Sequence, residues 1–313
     1  MSTRGSITAR RLASSIAMVA CAVPGLVWAH SRTGDHDASS LYTGGITVWL
    51  PWLLLAGLYA LGLLQLWRRA GIGHGLPVTR VLAFAAGMLA LLAATVWPLD
   101  ALGEQSLAAH VAQHMTLLAI VAPLLVLGRP GAVFAHALPP SWTRGIAAIA
   151  RRLLPGARQL AAATLLHAVV MWAWHSPRLT AAALENDALH WLMHISFLLA
   201  GLWFWSAIAA RHKDSTTGAG GALLALVTIM MQMGLIGALL VFAPRPLYAI
   251  YVDRVAALGL DALADQQLVG LIMWVPTCVP YLVAAWVIVY ARLGEAARDP
   301  GAMQRPALPA SRD

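Results

Sequence analysis

The chain has 313 residues, 60% hydrophobic and 11% charged, with a mean hydropathy of +0.72. Soluble domains carry about 25% charged residues, so the composition excludes a soluble globule and indicates an all-α, polytopic transmembrane bundle. The formal charge is +8, but the cations lie between apolar runs rather than on a soluble face, so they reflect membrane topology and no nucleic-acid partner is expected.

Residues 1–29 have the form of a secretory signal. Arg4, Arg10 and Arg11 make a positive leader, an apolar stretch follows from Ile16, and Val27-Trp28-Ala29 offers a cleavage context. Cleavage after Ala29 would remove Cys21 and leave His30 as the mature amino terminus; an uncleaved anchor is the alternative. Either outcome puts His30 outside the cytoplasmic membrane. Residues 30–45 are a polar extracytoplasmic segment and read as a solvated tail, although an amino-terminal His30 would also be able to chelate Cu(II).

Seven apolar runs of roughly 20 residues follow, the length that crosses a bilayer. They lie near 46–67, 80–98, 107–127, 160–176, 189–209, 221–243 and 267–290, and together make 46–290 a seven-span membrane domain. With the first run going inward, the inside segments carry 14 Arg and Lys and the outside segments carry 4. This bias orients a bacterial inner-membrane protein with its amino end outside and its carboxyl end inside. Nine of the thirteen acids, Asp100 and Asp265 among them, fall outside.

The inside loop 128–159 contains an Arg-spaced apolar stretch, 141–154, expected to lie as an interfacial helix on anionic lipid. The outside loop 244–266 is expected to hold a short amphipathic helix. The segment 291–313 reads as a disordered cytoplasmic tail. Two cysteines, Cys21 and Cys278, cannot make a disulfide framework or a CxxC metal motif. No phosphate-binding GxxxxGK[ST] loop or Ser/His/Asp motif is present, so no enzyme activity is expected.

The chemistry-bearing residues are the histidines. His110 and His114 open the third run, and His190 and His194 open the fifth. Residues four apart share a helical face. Random placement of 11 His yields about 0.4 such pairs, and the chain has two. Neither pair has Glu after its first His, so neither is a zincin motif. The topology brings both pairs to the outer membrane surface together with His175, which ends the fourth run. His167 lies two turns deeper on that run, with Met171 between. Ionisable groups within a membrane point to function, and these positions make a candidate metal site.

Carboxylates are sparse within the runs, which argues against calcium or magnesium. Imidazole with thioether suits copper, whereas imidazole alone also suits zinc or haem iron. Most of the methionines near the runs read as apolar filler, but Met230, Met231 and Met233, with Gln232, would be able to form a deeper step on a copper path. A haem-binding electron carrier and a metal transporter are the alternative readings.

The sequence resembles the cytochrome c oxidase assembly factor CtaG family. The resemblance rests on several blocks in order: His110-Val-Ala-Gln-His114-Met115 running to Gly128-Arg129-Pro130; Trp174-His175-Ser176-Pro177; His190 through His194 running to Trp203-Phe204-Trp205; Arg245-Pro246-Leu247-Tyr248; and Asp265-Gln266-Gln267 running to Trp274-Val275-Pro276. It implies an accessory role in assembling a respiratory oxidase, with copper as cargo, oxidase subunits as partners and soluble copper chaperones as donors. The last block adds Asp265 to the candidate ligand set of His110, His114, His175, His190, His194 and His167; helix capping is its competing role.

The orientation has a direct test. Alkaline phosphatase fused after Asn186 should be active and a fusion after Lys213 inactive; the reverse pattern would invert the assignment.

Overall fold

The computed structural model describes residues 46–153, 159–211 and 216–298. The expected signal, the segment 30–45 and the end of the tail lie outside the described residues. Among the described residues the elements are all helical: α1 (Ile46–Ala70), α2 (Val78–Thr95), α3 (Leu99–Gly103), α4 (Leu107–Thr116), α5 (Ala122–Leu127), α6 (Pro130–Ala137), α7 (Pro140–Leu153), α8 (Leu160–Trp174), α9 (Pro177–Glu185), α10 (Asp187–Arg211), α11 (Thr216–Val241), α12 (Ala249–Ala257), α13 (Ala262–Trp274) and α14 (Cys278–Arg298). The fold is the expected multi-pass helical bundle.

Among the described residues, six stretches are long and apolar enough to cross a membrane: Trp49–Ala70, Val78–Gly103, Leu107–Leu127, Asp187–Ala210, Gly218–Val241 and Ala262–Glu295. The run expected at 160–176 forms α8, of 15 residues. At 1.5 Å per residue that is about 22 Å, short of the roughly 30 Å hydrocarbon core.

The third stretch is the axis of the bundle. In its apolar 18-residue window 61% of the residues are buried, against 11% for the first, and α2, α10 and α13 pack around it. It is not a uniform α-helix. Pro123 has no N–H and its ring would meet the carbonyl four residues back. The chain answers with a π turn over Leu117–Val121, where Ala122 N–H donates to Leu117 O. In that register Leu118 O would need a donor from Pro123. The Trp205 indole of α10 donates to it instead, at 2.9 Å.

A second proline changes the last expected run. The stretch 267–290 reads as one helix but is broken between α13 and α14 at residues 275–277. Pro276 cannot serve Ile272 O, so Thr277 does so through both its N–H (3.2 Å) and its hydroxyl (2.7 Å). The final helix continues to Arg298, eight residues into the segment expected to be disordered. In the loop 128–159, α6 packs on α1 and α7 covers the Arg-spaced stretch. The short helix expected in 244–266 is α12.

Helices α11 and α13 cross at Gly237 and Gly270. A Cβ on Gly237 would lie 2.7 Å from Gly270 O, and one on Gly270 would collide with Gly237 O. Small residues at such crossings let backbones approach. Gly237→Ala and Gly270→Ala should each cost about 1–3 kcal/mol and lower the thermal midpoint of the detergent-purified chain. Gly57→Ala, where the added Cβ has nothing within 4 Å, should leave it unchanged.

Candidate metal centre

The site is built on the start of α4. Ser106 is its N-cap, and the Ser106 hydroxyl accepts from Ala109 N–H. Three further donors converge on the carboxylate of Asp265, which arrives from α13. Ser106 Oγ donates to Oδ1 at 2.7 Å, while Leu107 N–H (2.8 Å) and Ala108 N–H (3.4 Å) donate to Oδ2. A carboxylate there satisfies amides that the helix leaves unpaired and opposes the positive end of its dipole. Asp265 therefore caps a helix, though not its own; Asp261 caps α13 by accepting from Ala264 N–H. The Asp265 oxygens face α4 amides and the Ser106 hydroxyl rather than the imidazoles.

Held in this way, α4 presents His110 and His114 inward, each 1% exposed. Their ring centroids are 4.3 Å apart. α10 brings His190 and His194, 4.4 Å apart. His110 faces His190 at 5.8 Å, and His114 faces His194 at 5.5 Å. His175, at the C-cap of α8, completes the group 6.4 Å from His114. The five histidines expected at one membrane depth thus form one cluster. Phe197 stacks on His114 at 4.5 Å and meets His175 edge-on at 6.1 Å.

The ring nitrogens decide what this cluster can do. Nε2 of His110, His114, His175 and His194 is buried and has no hydrogen-bond partner among the described residues. Each such group costs about 1–3 kcal/mol if left unsatisfied. For His175 the tautomer follows from its neighbour: Nδ1 lies 2.7 Å from Met171 O, a carbonyl that can only accept. The proton is therefore on Nδ1 and the lone pair on Nε2, the arrangement of a metal-binding imidazole oriented through its other nitrogen. The donor set fits an ion that imidazole binds well, such as copper or zinc.

A carboxylate also joins the cluster, and it is Asp100, which the sequence reading left among the loop acids. Asp100, His190 and His194 each offer one ligand atom, and these atoms lie within 4.8 Å of one another. α3 places Asp100, and Gln113 of α4 orients it: Gln113 Nε2 donates to Asp100 Oδ1 (2.9 Å) and to Ala94 O (2.6 Å). The available sequence signal was an acid in the short connection just before the HxxxH helix.

α12 closes the site from the side. The Tyr248 hydroxyl donates to His175 O at 2.6 Å, and the Tyr251 hydroxyl donates to Gly103 O at 2.7 Å. Burial pushes both phenols well above their ordinary range, so both remain protonated donors. Arg254 donates to Glu104 O at 2.9 Å.

His167 stands apart. Its Nε2 pairs with the Tyr281 hydroxyl at 3.0 Å, and its ring neighbours are Phe204 and Tyr281. The methionines of the Met230–Met233 run do not share one face: Met231 is 69% exposed, whereas Met233 is fully buried. Gln232 accepts from the Trp172 indole.

Residues 57–293 match the family described as cytochrome c oxidase caa3 assembly factor. The chain belongs to the caa3 assembly factor family. The matched span contains the whole cluster, Asp100 and Asp265. The uncharacterized proteins Mb0105 of Mycobacterium bovis and MT0111 of Mycobacterium tuberculosis are each 28% identical over 260 residues, covering 77% of this chain. That alignment covers 38% of either relative, so this chain spans well under half the length of the curated proteins it matches. No solved structure matches.

The Asp265 cap is testable. Asp265→Ala should destabilise the chain by about 2 kcal/mol, the scale of charge-assisted hydrogen bonds to a buried carboxylate. Asp265→Asn, which retains an acceptor oxygen, should lose less. Equal midpoints for all three proteins in thermal unfolding would refute the role.

Proposed function

We propose that this chain is a non-enzymatic accessory factor that holds copper in the five-histidine cluster and supports its insertion into a membrane-embedded cytochrome c oxidase subunit. The observation that carries the reading is the set of buried Nε2 atoms without protein partners, on three helices that the fold brings together. Family membership supplies the assembly context.

With the orientation that the arginine bias implies, the cluster sits in the outer leaflet of the bacterial cytoplasmic membrane. Soluble copper chaperones on that side are the natural donors. The acceptor subunit is itself embedded, so it is reached laterally through the bilayer.

Replacing His110 and His114 together by Ala should abolish stoichiometric copper in the purified chain while leaving its elution profile and helical circular dichroism intact. Unchanged copper content would refute the site. A deletion strain should retain the oxidase polypeptide but lose its activity; restoration by copper in the medium supports delivery, and undiminished activity in that strain contradicts the role.

A further inference from the structure

The protein itself covers the cluster: His110, His114, His175 and His194 are all buried. An ion that reaches their Nε2 atoms needs part of the cover to move. Among the described residues, three short helices lie at this end of the bundle: α3, α9 and α12. α3 carries Asp100 and is locked to α4, since a Cβ on Gly103 would lie 3.1 Å from His110 Cα. α9 is bracketed in sequence by His175 and His190. α12 carries no member of the cluster, so its displacement leaves every candidate ligand in place.

We propose that α12 is a lid that opens to admit the ion and to release it. The inference rests on the histidine-cluster reading above. α12 buries Tyr251 and Val255, one helical turn apart, and leaves Val252, Asp253 and Ala256 exposed. The Tyr251 ring lies 6.1 Å from that of His110. The lid is fastened by side chains onto backbone carbonyls beside the candidate ligands: Tyr248 to His175 O, Tyr251 to Gly103 O and Arg254 to Glu104 O. Such bonds break and re-form without unwinding any helix. The backbone bonds that close α12, from Leu258 and Leu260 N–H to Val255 O, are local and travel with it. Both ends have the character of hinges, which are a few loop residues that absorb a change of backbone angle. Pro244 and Pro246 flank the entry, and Gln266 Oε1 pins Leu247 N–H there at 2.6 Å. Gly259, at the exit, has a φ of +73° and open space where a Cβ would stand.

The test uses the full chain in nanodiscs, stripped with a chelator. Uptake of Cu(II) chloride is followed by quenching of tryptophan fluorescence, and release by adding excess EDTA. Tyr248→Phe, Tyr251→Phe and Arg254→Met each keep the bulk of the side chain and remove one fastening. Each should accelerate uptake and release by the same factor, about fivefold, the rate equivalent of one net hydrogen bond. Copper per chain and Kd should stay as in the wild type, because the fastenings hold the lid with and without the ion. Tyr59→Phe is the control: it removes a buried phenol from Gly128 O at the other end of the third span and should leave both rates unchanged. Thermal midpoints confirm that each variant is folded. Unchanged rates in all three lid variants, or equal acceleration in Tyr59→Phe, would overturn the lid and leave the cluster reading standing. Faster release with weaker affinity and unaltered uptake would assign these side chains to holding the ion and would also overturn the lid. A wild type that takes up no copper would overturn both.

Discussion

The carboxylate of Asp265 against the first turn of α4 is the contact on which the site depends. In a bilayer, an unpaired amide has no water to turn to, and α4 begins the most buried span of the bundle. One side chain from α13 takes up two of its free amides and the Ser106 hydroxyl. This ties together elements 159 residues apart in sequence and sets where His110, Gln113 and His114 stand. The neighbouring Gln266 extends the same tie, with its Oε1 accepting from Leu247 N–H at 2.6 Å and its Nε2 donating to Leu240 O. α13 can approach closely enough because α11 and α13 meet at bare glycines.

Polar groups elsewhere in the bundle are matched with care. The indoles of Trp52 and Trp205 find the carbonyls of Met88 and Leu118. The buried phenols of Tyr59, Tyr248 and Tyr251 each find a carbonyl as well. Against that background, four orphaned imidazole nitrogens in one enclosure are informative. Outside the cluster and its Gln113, only His167 Nδ1 and Trp203 Nε1 share that state among the described residues. A low-dielectric interior makes unpaired polar atoms expensive. A bound cation satisfies several at once.

Much of this was legible in the sequence because it follows from short-range rules. The i,i+4 spacing put each His pair on one face, and the arginine distribution put three helix ends at one height, which is where the cluster forms. The short helix after Tyr248 and the apolar runs were equally readable. What escaped depends on contacts between distant segments. Asp265 looked like a ligand or the cap of its own helix; which helix it caps is decided by packing. Asp100 looked like one loop acid among nine, since nothing local says that α3 turns it toward α10. The break at Pro276 had a local cue, but an apolar run with a proline can kink or continue, and the choice rests on whether Thr277 can serve the freed carbonyl. The methionine run was misleading for a simple geometric reason: adjacent residues on a helix point in different directions.

The central claim is that copper is held by the imidazoles of this cluster, and the X-ray absorption spectrum of the copper-loaded, purified chain tests it most directly. The account predicts a shell of nitrogen and oxygen ligands with the multiple-scattering signature of imidazole and no sulfur. A sulfur-dominated shell, or no bound copper at all, would contradict it.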